Sequence, residues 1–351
     1  MINMARPLLL HLGGPSIFVR LMLAYDKPFV SLPDQLALLK SRGLHVADDN
    51  AALECLHRNG YYRLSAFWYP FRIIVPQLDS RGKQLRDKHE KPLQKRSDQF
   101  LPGSTFENAR DLYVFDKIFK MLLLDAIERV EIAVRADISL TLGALDKFAH
   151  LNPAFFRPSF ITGVNTRGKT KYDDWLDKYE QAVQRSRDEF VQHHKKKYGS
   201  QSPLPIWIAT ELWDFGQLSH FYSGMKTSHC ISIATRFAIP DWRLMESWLR
   251  SLNYVRNIIA HHGRLWNNAL VIQPAVPPQG LISDFDVLLS NPILNTRIYF
   301  VCCILCHFSK VVNPQSTWPQ QLKTLINNFP TMPHVSIQDM GFPSDWQNHE
   351  F

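Results

Sequence analysis

The chain has 351 residues, 45% of them hydrophobic; at that size about three quarters of the unfolded chain's surface can be buried, which suits roughly two domains and excludes wholesale disorder. Forty Lys and Arg against 32 Asp and Glu leave a net charge of +8, with 14 His besides, a moderate excess that predicts a basic patch facing a polyanion. Five Cys (Cys55, Cys230, Cys302, Cys303, Cys306) are odd in number and unevenly spread, which argues against a disulfide framework and for a reducing, cytoplasmic compartment.

Residues 1–24 read as an extension, and as a start-site artefact, because Met22 stands just before the patterned sequence begins at Tyr25. No signal peptide is expected there: His11 and Gly13-Gly14-Pro15 interrupt the apolar run and no small-residue cleavage site follows. Residues 25–78 form an N-terminal helical module. Ser31 and Pro33 open a helix that Gly43 stops, a second runs from about Asp48 to Gly60, and YYRLSAFWYPFRI is a short helix or a packed extended segment. Residues 79–101 are polar and charged without apolar periodicity, so they read as a loop.

Residues 102–270 read as the core. Apolar residues recur at helical spacing from Phe106 to Leu142, in one long helix or one broken once, after Ser104 or Thr105 as cap. A loop-rich section (152–171) follows, then an amphipathic charged stretch from Tyr172 to Tyr198 that closes on HHKKKYG. An apolar helical segment runs from Pro203 through Tyr222, and a helix capped by Asp241 runs from Trp242 to His262, with Gly263 as its stop.

Residues 271–351 hold the proline-rich connector VIQPAVPPQG and two helices, about Asp284 to Lys310 and Ser316 to Asn328, where the ordered part is expected to end. The longest apolar run, Tyr299 to Cys306, stops far short of the ~18 residues of a membrane span, so no membrane partner is expected. Cys303-Ile-Leu-Cys306-His307 matches the C-x-x-C-H haem pattern. Its place within the apolar helical spacing of Ile298, Val301, Leu305 and Phe308 argues instead for free thiols in a helix core, and no second Cys/His pair is evident for zinc. No cofactor and no metal is expected. With few alternating strand patterns, the fold class is all-α or nearly so.

The helix Trp242 to His262 carries the most information. Met245, Trp248, Leu249, Leu252, Val255 and Ile259 make one apolar stripe, and Arg256 falls inside it, about 40° from Leu252. A guanidinium on a buried face needs a carboxylate, a carbonyl cluster or a phosphate. The plain structural reading is an ion pair with Glu128 or Glu131. Glu131 and Arg135, four apart, read as a helix-stabilising pair, with Glu131 orienting Arg256 as the alternative.

The sequence Arg256-Asn257-Ile258-Ile259-Ala260-His261-His262-Gly263-Arg264 resembles the R-x4-H motif of HEPN ribonucleases. The wider chain resembles the AbiD/AbiF-like abortive-infection proteins of bacteria. The likeness runs through YDKPFVSLPDQLALLKSRGL (Tyr25 to Leu44), NGYYRLSAFWYPFR (Asn59 to Arg72), FDKIFKMLLLDAIERVEIAVRADI (Phe115 to Ile138), PLPIWIATELWDFGQLSHFY (Pro203 to Tyr222) and NYVRNIIAHHGRLWNN (Asn253 to Asn268).

The resemblance implies a HEPN-like helical bundle acting in phage defence as a metal-independent endoribonuclease. Arg256 and His261 would be the catalytic pair, Asn257 would orient the phosphate or the imidazole, and a 2′,3′-cyclic phosphate would be the product. It also implies latency under a small structured regulatory RNA. The chemistry agrees, since such cleavage needs a proton shuttle near pH 7 and a fixed cation. Positions five apart on a helix differ by about 140° and 7.5 Å, so one motif converges poorly. A homodimer that faces two motifs across a two-fold axis completes the site, with the Leu252, Val255 and Ile259 stripe beside that axis. His262, at the stripe's edge, reads as structural first and as catalytic support second.

Lys195, Lys196 and Lys197, then Lys88, Lys95 and Arg96, and Arg264 after the motif, are the expected RNA-backbone contacts. Two other readings stay open: a non-catalytic RNA-binding scaffold and a partner of a nucleotidyltransferase.

Overall fold

A computed structural model describes residues 28–290 and 294–349; the extension 1–24 lies outside them. Helix α1 (Leu32–Ser41) begins where the Ser31 hydroxyl accepts from the Asp34 amide, with Pro33 in the first turn, where no intrahelical donor is lost. Helix α2 (Asp49–Asn59) is capped by the Asp48 carboxylate, which accepts from the amides of Asn50 and Ala51. Gly60, at φ +80°, turns the chain directly into α3 (Tyr61–Trp68), a conformation that favours a residue without a Cβ.

The expected loop 79–101 is instead the elaborated turn and second strand of an antiparallel hairpin. Strand β1 (Arg72–Pro76) pairs with β2 (Gln94–Phe100). Asp79 and Asp87 each accept the amides two and four residues on and so shape the turns between the strands. Sequence periodicity misses β2 because most of its side chains are exposed or half-buried. Backbone pairing holds it, with Arg42 and Arg72 both on Asp98 at 3.3 Å.

Helix α4 (Phe106–Gly143) starts on a reciprocal capping box between Thr105 and Asn108 and runs 38 residues, about 57 Å, without a break. Its buried stripe includes Leu112, Phe119, Leu123, Ile127, Val134 and Ile138. After it come α5 (Pro158–Ile161), α6 (Lys171–Arg185) and α7 (Glu189–Tyr198). The single amphipathic stretch expected over Tyr172 to Tyr198 is thus two helices. It breaks at Ser186, which turns extended while its hydroxyl engages the Asp188 carboxylate and amide.

The segment from Pro203 to Tyr222 also splits. Helix α8 (Ile206–Ala209) tightens into a 3-10 turn (Thr210–Leu212), Trp213 is extended, and Asp214 caps α9 (Phe215–Gly224) through a capping box with Gln217. Helix α10 (Thr227–Arg236) was not marked by the sequence pattern. Helix α11 (Trp242–Ala260) starts at Asp241 as expected, its carboxylate accepting from the Arg243 amide.

The helix expected from Asp284 begins only at Ile298, as α12 (Ile298–Val312), after a 3-10 stretch Ser283–Ser290. Beyond α13 (Trp318–Asn327) the tail stays packed, with Met340, Phe342 and Trp346 buried, so order does not end at Asn328. Apolar side chains there find partners, Phe342 and Tyr299 meeting edge-on at 4.9 Å. Among the described residues there are thirteen α-helices and one two-stranded sheet, a nearly all-α fold in which α3, α8, α9, α10, α11, α12 and α13 pack on α4. All five cysteines are free thiols, and no described helix is long and apolar enough to cross a membrane.

One aromatic cluster fixes α6 against α9. Trp175 stacks on Tyr179 at 5.6 Å and donates its indole N–H to the Gln217 carbonyl (3.1 Å). The fully buried His150 stands edge-on to Tyr179, with Nε2 3.3 Å from its hydroxyl. Burial pushes the His150 imidazole down to about 4, only partly opposed by Asp146. The unfolded chain protonates this ring near 6.5 while the folded chain keeps it neutral. Its contribution to stability is therefore complete above pH 6.5 and drains away as pH falls toward 4. In urea titrations between pH 7 and 4.5, wild type should lose stability with a slope up to about 1.4 kcal/mol per pH unit steeper than His150→Phe. Parallel slopes would show that the ring does not stay neutral in the fold.

Candidate functional site

The apolar stripe of α11 is filled from within the chain. Met245, Trp248, Leu249, Leu252 and Val255 are fully buried and Ile259 nearly so, against α4, α9, α10 and α12. The protein's own helices therefore occupy that face.

Arg256 lies at the stripe's edge, half-buried, and donates from Nη1 to the Asn257 side-chain oxygen (3.0 Å). Among the described residues it makes no ion pair within 4 Å. The carboxylate nearest in kind, Glu131, is taken by Arg135 (2.8 Å), which also reaches Glu211 (3.3 Å) and the Trp213 carbonyl (2.9 Å). Burial raises the Glu131 carboxyl above its usual range, and the fields of Arg135 and Arg256 pull it back down. Glu131 therefore senses Arg256 while bonding to Arg135, and the ion-pair reading of Arg256 does not describe this structure.

Arg256 opens onto a cleft of about 350 Å³ between α6, α9 and α11. Asn253 and Asn257 line it from α11, and Lys178 does so from α6. Asp214, Gln217 and His220 contribute from the cap and body of α9. Gly216 lies where α9 meets α11, and a Cβ there would stand in ordinary contact, 3.6 Å, with the Asn253 carboxamide. The Asn253 Oδ1 is buried with no hydrogen-bond partner.

His220 was not singled out by the sequence. It stands 36 positions before Arg256, and its one local signal is a polar residue between Leu218 and Phe221 in an apolar run. Burial first, then Lys178 and Lys171, lower its imidazole below the usual range, so it is neutral at pH 7 and fit to accept a proton.

His261 is not among the residues lining this cleft. It caps the exposed end of α11. His262, not Gly263, takes the left-handed position (φ +57°). The amides of His262 and Gly263 then bond back to the carbonyls of Ile259 (2.9 Å) and Ile258 (2.8 Å), the two bonds of a Schellman turn. Gly263 is required for space, as a Cβ would stand 2.9 Å from the Ile258 side chain. The turn is clamped from outside: Arg63 donates to the His262 carbonyl and Lys120 to that of Gly263, both at 3.0 Å. Asp116, fully buried, accepts from the amides of Leu265 (2.9 Å) and Trp266 (2.8 Å) and pairs with Lys120 (3.0 Å).

Of the cations expected on RNA, three are turned inward. Arg264 donates to the Ala66 carbonyl (2.5 Å), Arg96 to the carbonyls of Pro70 (2.6 Å) and Arg72 (2.8 Å), and Lys195 to that of Val183 (2.8 Å). Lys88, Lys95, Lys196 and Lys197 are exposed. No three described His, Cys, Asp or Glu side chains converge as metal ligands would.

A family model described as Abi-like protein matches residues 54–267. The chain belongs to that Abi-like family. The matched span runs from α2 to the Asp116 clamp and contains every residue of the cleft, while α12 and α13 lie beyond it. Comparison with curated proteins and with solved structures finds no match.

Asp116→Ala in this Abi-like protein should destabilise the fold by about 3–5 kcal/mol, because it leaves a Lys and two amides buried without their acceptor. Asp116→Asn, which keeps an oxygen for the amides, should cost less. Denaturant midpoints together with amide exchange at Leu265 and Trp266 test this, and a cost for Asp116→Ala below 1 kcal/mol with unchanged exchange would refute the clamp.

Proposed function

We propose that this Abi-like protein acts in phage defence as a metal-independent HEPN-type endoribonuclease of the cytoplasm, with Arg256 as its phosphate-facing cation. The observation that carries the reading is a half-buried guanidinium with no carboxylate partner among the described residues, open to a polar cleft and steadied by Asn257. A cation held this way faces the charge of the pentacoordinate phosphorus without being neutralised beforehand.

In the reaction the ribose 2′-oxygen attacks the adjacent phosphorus and passes its proton to an imidazole. The bond from phosphorus to O5′ breaks, and O5′ receives a proton. The products are a 2′,3′-cyclic phosphate and a 5′-hydroxyl. His261 of the motif is the imidazole on this reading. Because it stands about 140° and 7.5 Å from Arg256 around the helix, it completes the site from a second copy of the chain in a homodimer. A regulatory RNA holding the enzyme latent fits the toxicity of an unrestrained ribonuclease. One observation favours a second arrangement: His220 lines the cleft of Arg256 within one chain.

Cleavage of labelled RNA in EDTA decides among these readings. Arg256→Ala and His261→Ala should each slow cleavage by roughly 10²-fold or more with the fold intact. Rates within tenfold of wild type would remove the assignment of the residue concerned. Loss with His220→Ala and retention with His261→Ala would move the imidazole role to His220. Wild type that binds RNA and never cuts it would leave the scaffold reading.

A further inference from the structure

A second cleft of about 350 Å³ adjoins the one at Arg256 and shares Lys178, Asp214 and Gln217 with it, so the two form one groove. Its far wall is α6, where Lys178, Gln181 and Arg185 stand at i, i+3 and i+7 on a single face. Over seven residues that face presents two cations about 10 Å apart along the helix.

Neither Lys178 nor Arg185 makes an ion pair among the described residues, whereas two acids of the same helix are already engaged. Asp174 is held by Arg167 (3.1 Å) and Asp177 by Lys169, both turned to the loop before α6. The one acid in the groove, Asp214, points a carboxylate oxygen at the Gln217 amide of α9 (2.8 Å), where the helix N-terminus offsets its charge. At the inner end lie Arg256 and the buried, unpartnered carboxamide oxygen of Asn253.

We infer that this groove is the track of a single RNA strand, held by its phosphates on Lys178 and Arg185 and delivered to Arg256. The strand's identity as RNA rests on the ribonuclease reading; the groove itself does not. Each cleft has the volume of a small-ligand site, which admits one strand between helices and not a duplex. The track also differs from the exposed basic run Lys196-Lys197 on α7, which lines neither cleft.

The test measures binding of a short fluorescent 2′-O-methyl RNA, which lacks the attacking hydroxyl and is bound without being cut, to the full chain across a salt series. Lys178→Ala with Arg185→Ala should weaken binding about tenfold and flatten the slope of log Kd against log salt by roughly 1.4, two phosphate contacts at 0.7 each. Lys196→Ala with Lys197→Ala should leave both nearly unchanged. Both double variants change exposed side chains, and their folding is checked by circular dichroism.

Wild-type binding with an unchanged slope in the α6 variant, or loss carried by the α7 variant, overturns the groove. So does a wild type that does not bind the probe. A DNA strand of the same sequence bound as tightly as an unmethylated RNA, on Arg256→Ala protein to prevent cutting, overturns the assignment to RNA. Groove-dependent binding by a protein that never cleaves ordinary RNA would sink the ribonuclease reading and leave the groove standing.

Discussion

Asp116 sits on the buried face of α4, where a carboxylate costs several kcal/mol unless its oxygens are matched. The match comes from Lys120 one turn on and from the amides of Leu265 and Trp266, nearly 150 residues later in the chain. That pairing obliges the chain leaving α11 to return across α4 at one height, which in turn fixes how α11 ends. The tight Schellman turn puts His262 in a conformation that costs a non-glycine residue about 1 kcal/mol or more. The surroundings over-determine it, with Arg63 and Lys120 on its last carbonyls and the positive charge of both side chains complementing the helix dipole. His261 is held in place by this clamp without taking part in it.

Two arginines compete for one glutamate, and the outcome decides what Arg256 can do. Arg135 shares a helix with Glu131 at i, i+4 spacing and is additionally anchored by Glu211 and the Trp213 carbonyl. It keeps Glu131, and Arg256 is left with a neutral amide as its partner. A guanidinium carries five N–H donors and stays charged at any physiological pH. One donor is occupied by Asn257, and the residue lines the cleft. Had Glu131 been free to swing onto Arg256, the same residue would be a structural ion pair.

The parts of this fold that were legible in the sequence are those written locally. The Asp241 cap and stripe of α11, the length of α4 and the caps of α1 and α2 all follow from residues within a turn or two of one another. The Asp214-to-Gln217 capping box was equally local, yet the apolar run around it hid the break before α9. Strand β2 escaped because pairing with β1, not side-chain alternation, stabilises it. Arg96, Arg264 and Lys195 looked like surface cations since sequence shows charge and not direction; each points at a carbonyl of its own chain. The motif Arg256 to His261 is visible to any reader of the sequence, whereas the cleft that gives Arg256 its surroundings is assembled from three helices and has no sequence signature. His220 and Lys178 enter it only through the packing of α6 on α9.

The geometry of α11 bears on the chemistry more than the motif does. A helix that is regular to its cap carries the fifth residue after Arg256 about 140° round its axis, and the Schellman turn begins only after His261, so no irregularity swings that ring back. General acid–base cleavage needs a base for the 2′-hydroxyl and an acid for O5′. His220, buried beside lysines, is driven toward its neutral form. His261 faces solvent at the end of α11. The two imidazoles thus occupy different environments, one lining the cleft and one at the exposed end of α11.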